Sequence, residues 1–305
     1  MTCYHPLKAF RTPTGVVFTE LAREDILGDI ELPCGRCIGC RMRRASDWEL
    51  RVMHEASLYE NNCFVTLTYR PGALPPNASL CHEDWQLFMK RARQHFYPQK
   101  LRFYMCGEYG DLQQRPHYHG CLFNAAFTDQ VEAGKSKSGM TYYQSAILDK
   151  LWGHGIASVQ PLVKETASYC ARYIMKKALG ETARTAYQSI DPETGEIIQR
   201  KPEYAAMSNG GGTKGAGGIG AAWYEKYHQD VHRGDYVIAD GAKRPPPKYY
   251  DKLLKRRASE RLEQLQEARS TKARQQTADQ TPERLATREA VHLAKVSTLK
   301  RTLSK

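Results

Sequence analysis

The order of helix-like and strand-like segments between Arg41 and Leu179 places the narrowest limits on the fold of this chain. Apolar residues recur at helical spacing in the segments 41–59, 82–96, 145–152 and 163–179. Runs rich in β-branched and aromatic residues predict strands at 62–69, 101–108, 117–124 and 155–160. The order is therefore a helix followed by β-α-β-β-α-β-α, and the short polar connection 110–116 predicts that the second and third strands form a hairpin.

Strands that alternate with helices but share a hairpin predict an α+β fold, with an antiparallel central sheet and helices on one face in the ferredoxin-like manner. Composition divides the chain into four predicted regions: 1–60 with a cysteine cluster and a basic helix, 61–180 with the α+β core, 181–250 with glycine, aromatic and basic residues, and 251–305. The last region carries 14 Lys and Arg against 7 Asp and Glu, which predicts an extended basic helix or a disordered tail.

The net charge indicates a polyanionic partner. The chain has 45 Lys and Arg against 33 Asp and Glu, a formal charge of +12. No basic segment carries the apolar face that an interfacial helix needs, so nucleic acid is favoured over a membrane surface. The nine cysteines are an odd number and the N-terminus lacks a secretory pattern, so we expect an intracellular protein without a disulfide framework.

A histidine pair and a nearby glutamate predict a metal site. His117 and His119 are two residues apart in a predicted strand, so both imidazoles lie on one face of the sheet and can chelate a divalent cation. Glu108 ends the preceding strand of the hairpin and would add the oxygen ligand that suits Mg²⁺ or Mn²⁺. A His-x-His pair alone is more often structural or incidental, so this prediction needs a second signal.

The second signal is a pair of tyrosines in the last predicted helix. Tyr169 and Tyr173 are one turn apart, so both hydroxyls can reach one spot. A tyrosine hydroxyl, with a pKa of about 10, is a poor nucleophile until a nearby cation or base favours its ionisation. Lys176 or Lys177 could do this, or could hold a phosphate. Alone, two tyrosines at this spacing more often pack in a core; with a metal site, they fit a nuclease that attacks a phosphodiester.

Three motifs together resemble the HUH superfamily of rolling-circle replication initiators: Phe64-Val65-Thr66-Leu67-Thr68, His117-Tyr118-His119 and Tyr169-x-x-x-Tyr173. The middle position of the second motif is usually a bulky apolar residue, and here it is Tyr118. The start Cys34-Gly-Arg-Cys37-Ile-Gly-Cys40 and the core Gly107-Glu108-Tyr109-Gly110 with Arg115-Pro116-His117 resemble more narrowly the initiators of the Microviridae, in the gokushovirus branch. The resemblance covers about residues 1–180 and extends more weakly to residue 250.

The resemblance implies a site-specific, metal-dependent DNA endonuclease with strand-joining activity, and makes 61–180 its catalytic core. Glu108, His117 and His119 would hold Mg²⁺ or Mn²⁺. Tyr173 and Tyr169 would act as alternating nucleophiles, with Lys176 or Lys177 as the motif lysine. Cleavage would nick one strand of a phage origin and leave a 3′-hydroxyl and a 5′-phosphotyrosine, and rejoining would release circular genomes.

The implied partners are origin DNA and single-stranded DNA. Four arginines are candidate contacts to phosphates: Arg41, Arg43, Arg44 and Arg172. Because the sequence carries no P-loop of an ATPase, unwinding would come from a host helicase, and a host polymerase would extend the 3′-hydroxyl. We expect the reaction to take place in the host bacterial cytoplasm, with neither a membrane nor a small-molecule substrate involved.

A cysteine cluster near the N-terminus is compatible with a structural zinc site. Cys34, Cys37 and Cys40 are spaced C-x₂-C-x₂-C, and Cys3 or His5 could be the fourth ligand. His54 is equally available, and no second C-x₂-C pair follows, so the sequence leaves Zn²⁺ and simple burial both open.

The aromatic and basic residues of 223–250 also allow two interpretations. Their mixture is typical of single-strand binding. However, Trp223 and Tyr227 lie at helical spacing, and we favour the interpretation that they dock this segment onto the core.

Two other functions remain open from the sequence. A non-enzymatic, zinc-containing protein that binds or packages single-stranded DNA would explain the charge, the cysteines and the aromatic residues, but not the histidine and tyrosine pairs. A relaxase or transposase of the same superfamily would share the site and differ in the DNA that it cuts.

Overall fold

A computed structural model describes residues 3–19, 25–110, 114–136, 138–176, 185–190, 194–209, 217–275 and 277–298. The strands are β1 (Leu7–Thr12), β2 (Gly15–Val17), β3 (Gly28–Leu32), β4 (Asn62–Tyr69), β5 (Arg102–Tyr109), β6 (Pro116–Phe123), β7 (Val131–Lys135), β8 (Thr141–Gln144), β9 (Gly155–Pro161), β10 (Gln188–Ile190), β11 (Ile197–Gln199), β12 (Tyr204–Met207), β13 (Val237–Ala239) and β14 (Ala242–Arg244). The α-helices are α1 (Ile38–Ala56), α2 (His82–His95), α3 (Ala146–Trp152), α4 (Lys164–Lys176), α5 (Ala221–Gly234), α6 (Lys248–Arg257), α7 (Ser259–Arg274) and α8 (Pro282–Thr298).

The centre of the fold is a seven-stranded sheet in the order β12-β5-β6-β4-β9-β8-β7, and its described strand pairs are antiparallel. Its four inner strands, β5-β6-β4-β9, are connected through α2 and α3 in the βαββαβ order of a ferredoxin-like core. The predicted α+β class and the β5–β6 hairpin are confirmed. The hairpin register places Glu108 directly opposite His117.

Helices cover both faces of this sheet. On one face, Leu67 and Tyr118 share a core with Trp85 of α2 and Trp152 of α3. Because side chains alternate along a strand, Phe64 and its neighbours point to the opposite face, where a second core includes residues of α1 and α4. The prediction of helices on one face therefore holds for α2 and α3 only. The physical reason is that β5 and β6 are buried along almost their entire length, so each of their faces needs a helix.

The aromatic segment 223–250 is docked onto α1, as the favoured interpretation predicted. The Trp223 ring stacks on His54 with centroids 3.6 Å apart, and His54 Nδ1 lies 2.7 Å from the Tyr250 hydroxyl. Arg51 Nε donates a hydrogen bond to the Ile219 carbonyl at 2.9 Å. Tyr250 is fully buried, so these rings belong to a core and not to an open stacking surface.

The described residues fall into two compact units, those of Ala45–Ala258 and those of Met1–Arg44 with Ser259–Lys300. The second unit contains the small sheet β2-β1-β3, the start of α1, and the helices α7 and α8. Within it, the Tyr4 hydroxyl lies 2.9 Å from His292 Nδ1, which joins the two ends of the sequence. The basic C-terminal region is thus helical over most of its length. None of the described helices is long and apolar enough to cross a membrane.

Candidate functional site

The register of four strands assembles the predicted metal ligands on one face of the sheet. One row of directly opposed residues runs Glu108, His117, Thr68, Ile156 across β5, β6, β4 and β9. The adjacent row on the same face runs Cys106, His119, Thr66, Ser158. Helix α4 packs on this face, where Cys170 Sγ lies 3.5 Å from Cys106 Sγ.

Glu108, His117 and His119 form a compact group that we call the metal-ligand group. Glu108 Oε1 lies 2.5 Å from His117 Nε2 and 3.0 Å from His119 Nε2. One donor atom from each residue lies within 4.8 Å of the other two. Glu108 is 1% exposed, and its Oε2 has no hydrogen-bond partner among the described residues. A buried carboxylate oxygen without a partner, beside two imidazole nitrogens, fits a divalent cation.

Backbone and side-chain contacts orient both imidazoles. His117 Nδ1 lies 3.1 Å from the Arg115 carbonyl, which can only accept a hydrogen bond, so Nδ1 carries the proton and Nε2 keeps its lone pair. His119 Nδ1 lies 2.9 Å from Thr66 Oγ1. Such outer contacts fix the tautomer of metal-binding histidines. Sequence reasoning gave Thr66 no role, because only the pairing of β4 with β6 brings it to His119.

The electrostatics of the group favour a charged carboxylate. Burial raises the pKa of Glu108, but the charge of His119 and the hydrogen bonds from both histidines outweigh this effect and lower the pKa to about 2. Glu108 is therefore ionised at neutral pH and suited to a divalent cation.

Helix α4 brings Tyr169 to this group. The Tyr169 hydroxyl lies 3.5 Å from Glu108 Oε1, and its ring meets the His119 ring edge-on with centroids 4.9 Å apart. Tyr173 and Lys176 lie further along α4, but their side chains are outside the described part of the structure, as is all of Lys177. Arg172 is exposed on the same helix.

The four predicted zinc-ligand cysteines are brought together in the unit that contains both ends of the sequence, and we call them the thiol cluster: Cys3, Cys34, Cys37 and Cys40. Their sulfurs all lie within 4.8 Å of one another. His5 instead pairs with Glu289 at 2.6 Å, and His54 belongs to the aromatic core of the other unit, so Cys3 is the fourth member. All nine cysteines are free thiols.

Backbone amides surround the sulfurs of the thiol cluster. The Cys34 amide donates to Cys3 Sγ at 3.2 Å, and the Cys37 amide donates to Cys34 Sγ at 3.3 Å. Burial raises the pKa of Cys34, but the amides of Cys37 and Arg36 outweigh it and lower the pKa to about 7. Thiolates are the form that binds a metal, so the local backbone favours binding.

The basic residues after the thiol cluster lie on the first turns of α1. Arg41 and Arg43 are half-buried, and Arg44 is exposed. The Arg41 amide donates to the Cys37 carbonyl at 3.0 Å, which joins the start of the helix to the thiol cluster.

Comparison with known proteins identifies several relatives. The family model of the ORF2 type of replication-associated protein matches residues 62–178. The chain is 31% identical over 271 residues to Replication-associated protein VP4 of Bdellovibrio phage phiMH2K, across 86% of this chain and 79% of that protein. It is 28% identical to Replication-associated protein ORF2 of Spiroplasma virus 4, across 84% of this chain and 81% of that protein. Replication-associated protein ORF4 of Chlamydia phage 1 is 26% identical, across 75% and 55%. No solved structure matches the chain significantly.

Proposed function

The chain belongs to the family of phage replication-associated proteins, and on this premise we propose that it nicks one strand of origin DNA through a tyrosine nucleophile and later rejoins it. The observation that carries the proposal is the position of the Tyr169 hydroxyl, 3.5 Å from Glu108 within the metal-ligand group. A nucleophile at this distance from a cation site can attack a phosphate that the cation holds.

Glu108, His117 and His119 would hold Mg²⁺ or Mn²⁺. The bound cation would polarise the scissile phosphate. Tyr173 attacks first in this proposal: its oxygen bonds to phosphorus, the bond to the 3′-oxygen breaks, and a 5′-phosphotyrosine and a 3′-hydroxyl result. Lys176 or Lys177 would stabilise the charge on the phosphate. Tyr169 would cleave the regenerated origin, and the freed 3′-hydroxyl would attack the first phosphotyrosine and close the circle.

The remaining predicted partners fit this reaction. Arg41, Arg43, Arg44 and Arg172 would contact phosphates of the bound strand, supported by the net charge of +12. A host helicase would separate the strands and a host polymerase would extend the 3′-hydroxyl, in the host bacterial cytoplasm.

The experiment that tests the nicking proposal is a search for the covalent adduct. The full chain is incubated with Mn²⁺ and labelled circular single-stranded phage DNA, and the products are separated on a denaturing gel. We expect a metal-dependent protein–DNA adduct that is weakened in Tyr173→Phe and absent in the variant with both Tyr169→Phe and Tyr173→Phe. Tyr227→Phe is the matched control, because this tyrosine is half-buried on α5.

A result without any adduct, together with tight, salt-sensitive DNA binding, would instead support the non-enzymatic binding protein. A relaxase or transposase would give an adduct but on another DNA sequence, which mapping of the cleaved phosphate would reveal.

For the thiol cluster we propose a structural Zn²⁺. Four thiols within 4.8 Å of one another match the donor set of closed zinc sites. We expect one zinc ion per chain by elemental analysis, lost in Cys37→Ser. Cys81→Ser should retain the zinc, because this half-exposed thiol lies at the start of α2 and outside the thiol cluster. Equal zinc contents in the two variants would contradict the proposal.

A further inference from the structure

Beside the metal-ligand group lies a short stretch of open sheet, which we call the β4–β9 strip: Thr66, Thr68, Ile156 and Ser158. Thr68 is directly opposite His117 on one side and Ile156 on the other. Thr66 is likewise between His119 and Ser158. Since directly opposed residues share a face, the β4–β9 strip continues the two rows that carry the metal ligands.

Exposure distinguishes the β4–β9 strip from the rest of the sheet. Ile156 is 64% exposed, whereas its neighbours on the other face, Ala157 and Val159, are 1% and 2% exposed. Thr68 and Ser158 are half-buried. Helix α4 contacts the sheet at Cys106 and at the His119 carbonyl, on β5 and β6. The β4–β9 strip therefore presents an aliphatic side chain and hydroxyls to solvent in the rows of the metal-ligand group.

The position of Ile156 fits a nucleotide next to the cleaved phosphate. Adjacent strands lie about 4.8 Å apart, so Ile156 on β9 lies about 10 Å from His117 on β6. A stacked DNA strand advances about 3.4 Å per nucleotide, and an unstacked strand advances further. One to three nucleotides therefore span the distance from a phosphate at the metal-ligand group to Ile156.

We propose that the β4–β9 strip binds the nucleotides next to the scissile phosphate of a single DNA strand. One base lies on Ile156, and the hydroxyls of Thr68 and Ser158 donate hydrogen bonds to phosphate or sugar oxygens. The occupant is single-stranded, because a base can lie flat on a side chain only after it has left its own stack. The β4–β9 strip carries no acidic group, and the chain has a net charge of +12, so a polyanion is not repelled. This inference rests on the proposed function, which places the scissile phosphate at the metal-ligand group.

The test compares two exposed isoleucines. Ile156→Ser removes the apolar surface of the β4–β9 strip, and Ile238→Ser is the matched control, because Ile238 is 58% exposed on β13 in a separate two-stranded sheet. Affinity of the full chain for a labelled single-stranded origin fragment is measured by fluorescence anisotropy in EDTA, so that binding is scored without cleavage. We expect about fivefold weaker binding for Ile156→Ser and unchanged binding for Ile238→Ser, with both variants folded by circular dichroism.

A second measurement locates the nucleotide. Single abasic sites are placed in turn on each side of the cleaved phosphate. At one position the abasic site should weaken binding of the unmodified protein about fivefold and cause no further loss in Ile156→Ser, as expected when two changes remove the same contact.

The outcomes separate this inference from the proposed function. Equal affinities of the two isoleucine variants, while the unmodified protein forms the adduct, would overturn the β4–β9 strip alone. Ile156-dependent binding in a protein that forms no adduct would overturn the nicking reaction and keep the β4–β9 strip. An equal loss of affinity for a duplex of the same sequence would overturn the single-stranded occupant.

Discussion

Glu108 joins the two histidines, because its Oε1 lies within 3.0 Å of both Nε2 atoms. Glu108→Gln keeps the shape of the side chain and removes its charge. We expect Mn²⁺ affinity, measured by isothermal titration calorimetry, to fall more than about tenfold. Glu132→Gln, on the exposed strand β7 of the same sheet, should bind Mn²⁺ as the unmodified protein does. If Glu108→Gln binds equally well, the metal-ligand group is not the cation site.

His54 makes stability depend on pH. Burial lowers its pKa from 6.5 to about 4, so the fold favours the neutral imidazole. As the pH falls below 6.5, the unfolded chain binds the proton first, and stability is lost until the pH reaches about 4. The loss is about 3 kcal/mol, since each pKa unit corresponds to about 1.4 kcal/mol.

The measurement is urea unfolding at pH 7 and pH 4.5. The difference in unfolding free energy between the two pH values should be smaller in His54→Asn than in the unmodified protein. His228→Asn should leave the difference unchanged, because His228 lies at the helix surface, with Nδ1 3.1 Å from the Glu225 carbonyl. Parallel pH dependences for all three proteins would show that His54 does not titrate in this way.

At the residue scale, the sequence predicted what local geometry determines. His117, His119 and Glu108 follow from strand alternation and one hairpin. The choice of Cys3 over His5 does not, because it depends on a contact between Cys3 and Cys34, 31 positions apart in sequence. Thr66 was within a recognised motif, but its contact with His119 spans 53 positions.

At the scale of elements, β6 and α2 are held together by one close approach. A Cβ added to Gly120 would lie 2.5 Å from Trp85 Cη2 and 3.4 Å from a Val65 methyl group. Trp85 is fully buried and cannot move aside. We expect Gly120→Ala to lower the free energy of unfolding by about 1–3 kcal/mol, as overpacking does in other cores.

Urea denaturation monitored by tryptophan fluorescence measures this effect. Gly72→Ala is the control, because nothing lies within 4 Å of the added Cβ and its backbone is compatible with alanine. A Gly120→Ala protein as stable as the control would mean that α2 can shift away from β6.

Elements with a buried, periodic pattern were predicted to within a few residues, and edge elements were not. Strand β4 is found at the predicted residues 62–69. Helix α1 begins at Ile38 and not near 41, because the thiol cluster includes Cys40 on its first turn. Strands β7 and β12 were missed. Strand β7 is mostly exposed at the edge of the sheet and carries little apolar signal, and β12 has only four residues.

At the scale of the molecule, the sequence did not indicate that the N-terminal strands and the C-terminal helices belong to one unit. Contacts such as Tyr4 with His292 span 288 positions, and no local pattern encodes them. The four predicted regions follow composition along the chain, and the two compact units instead combine distant segments.

The unit of Met1–Arg44 with Ser259–Lys300 has a small apolar core. Among its described residues, the buried apolar side chains are Ala9, Cys37, Leu262, Leu265 and Leu285. Cores of this size usually need a metal or disulfides, and structural zinc supplies several kcal/mol of folding free energy. We therefore expect a zinc chelator to unfold this unit and to leave the seven-stranded sheet folded.

Hydrogen exchange with mass spectrometry can measure the two units separately in the full chain. After chelation, amide protection should be lost in β1, β3 and α8 and retained in β4, β5 and β6. Cys37→Ser should show the same loss without chelator, and Cys81→Ser should remain protected in both units. Simultaneous loss of protection across β4–β6 would show that the thiol cluster stabilises the whole chain. Unchanged protection in β1, β3 and α8 would show that this small core is stable without metal.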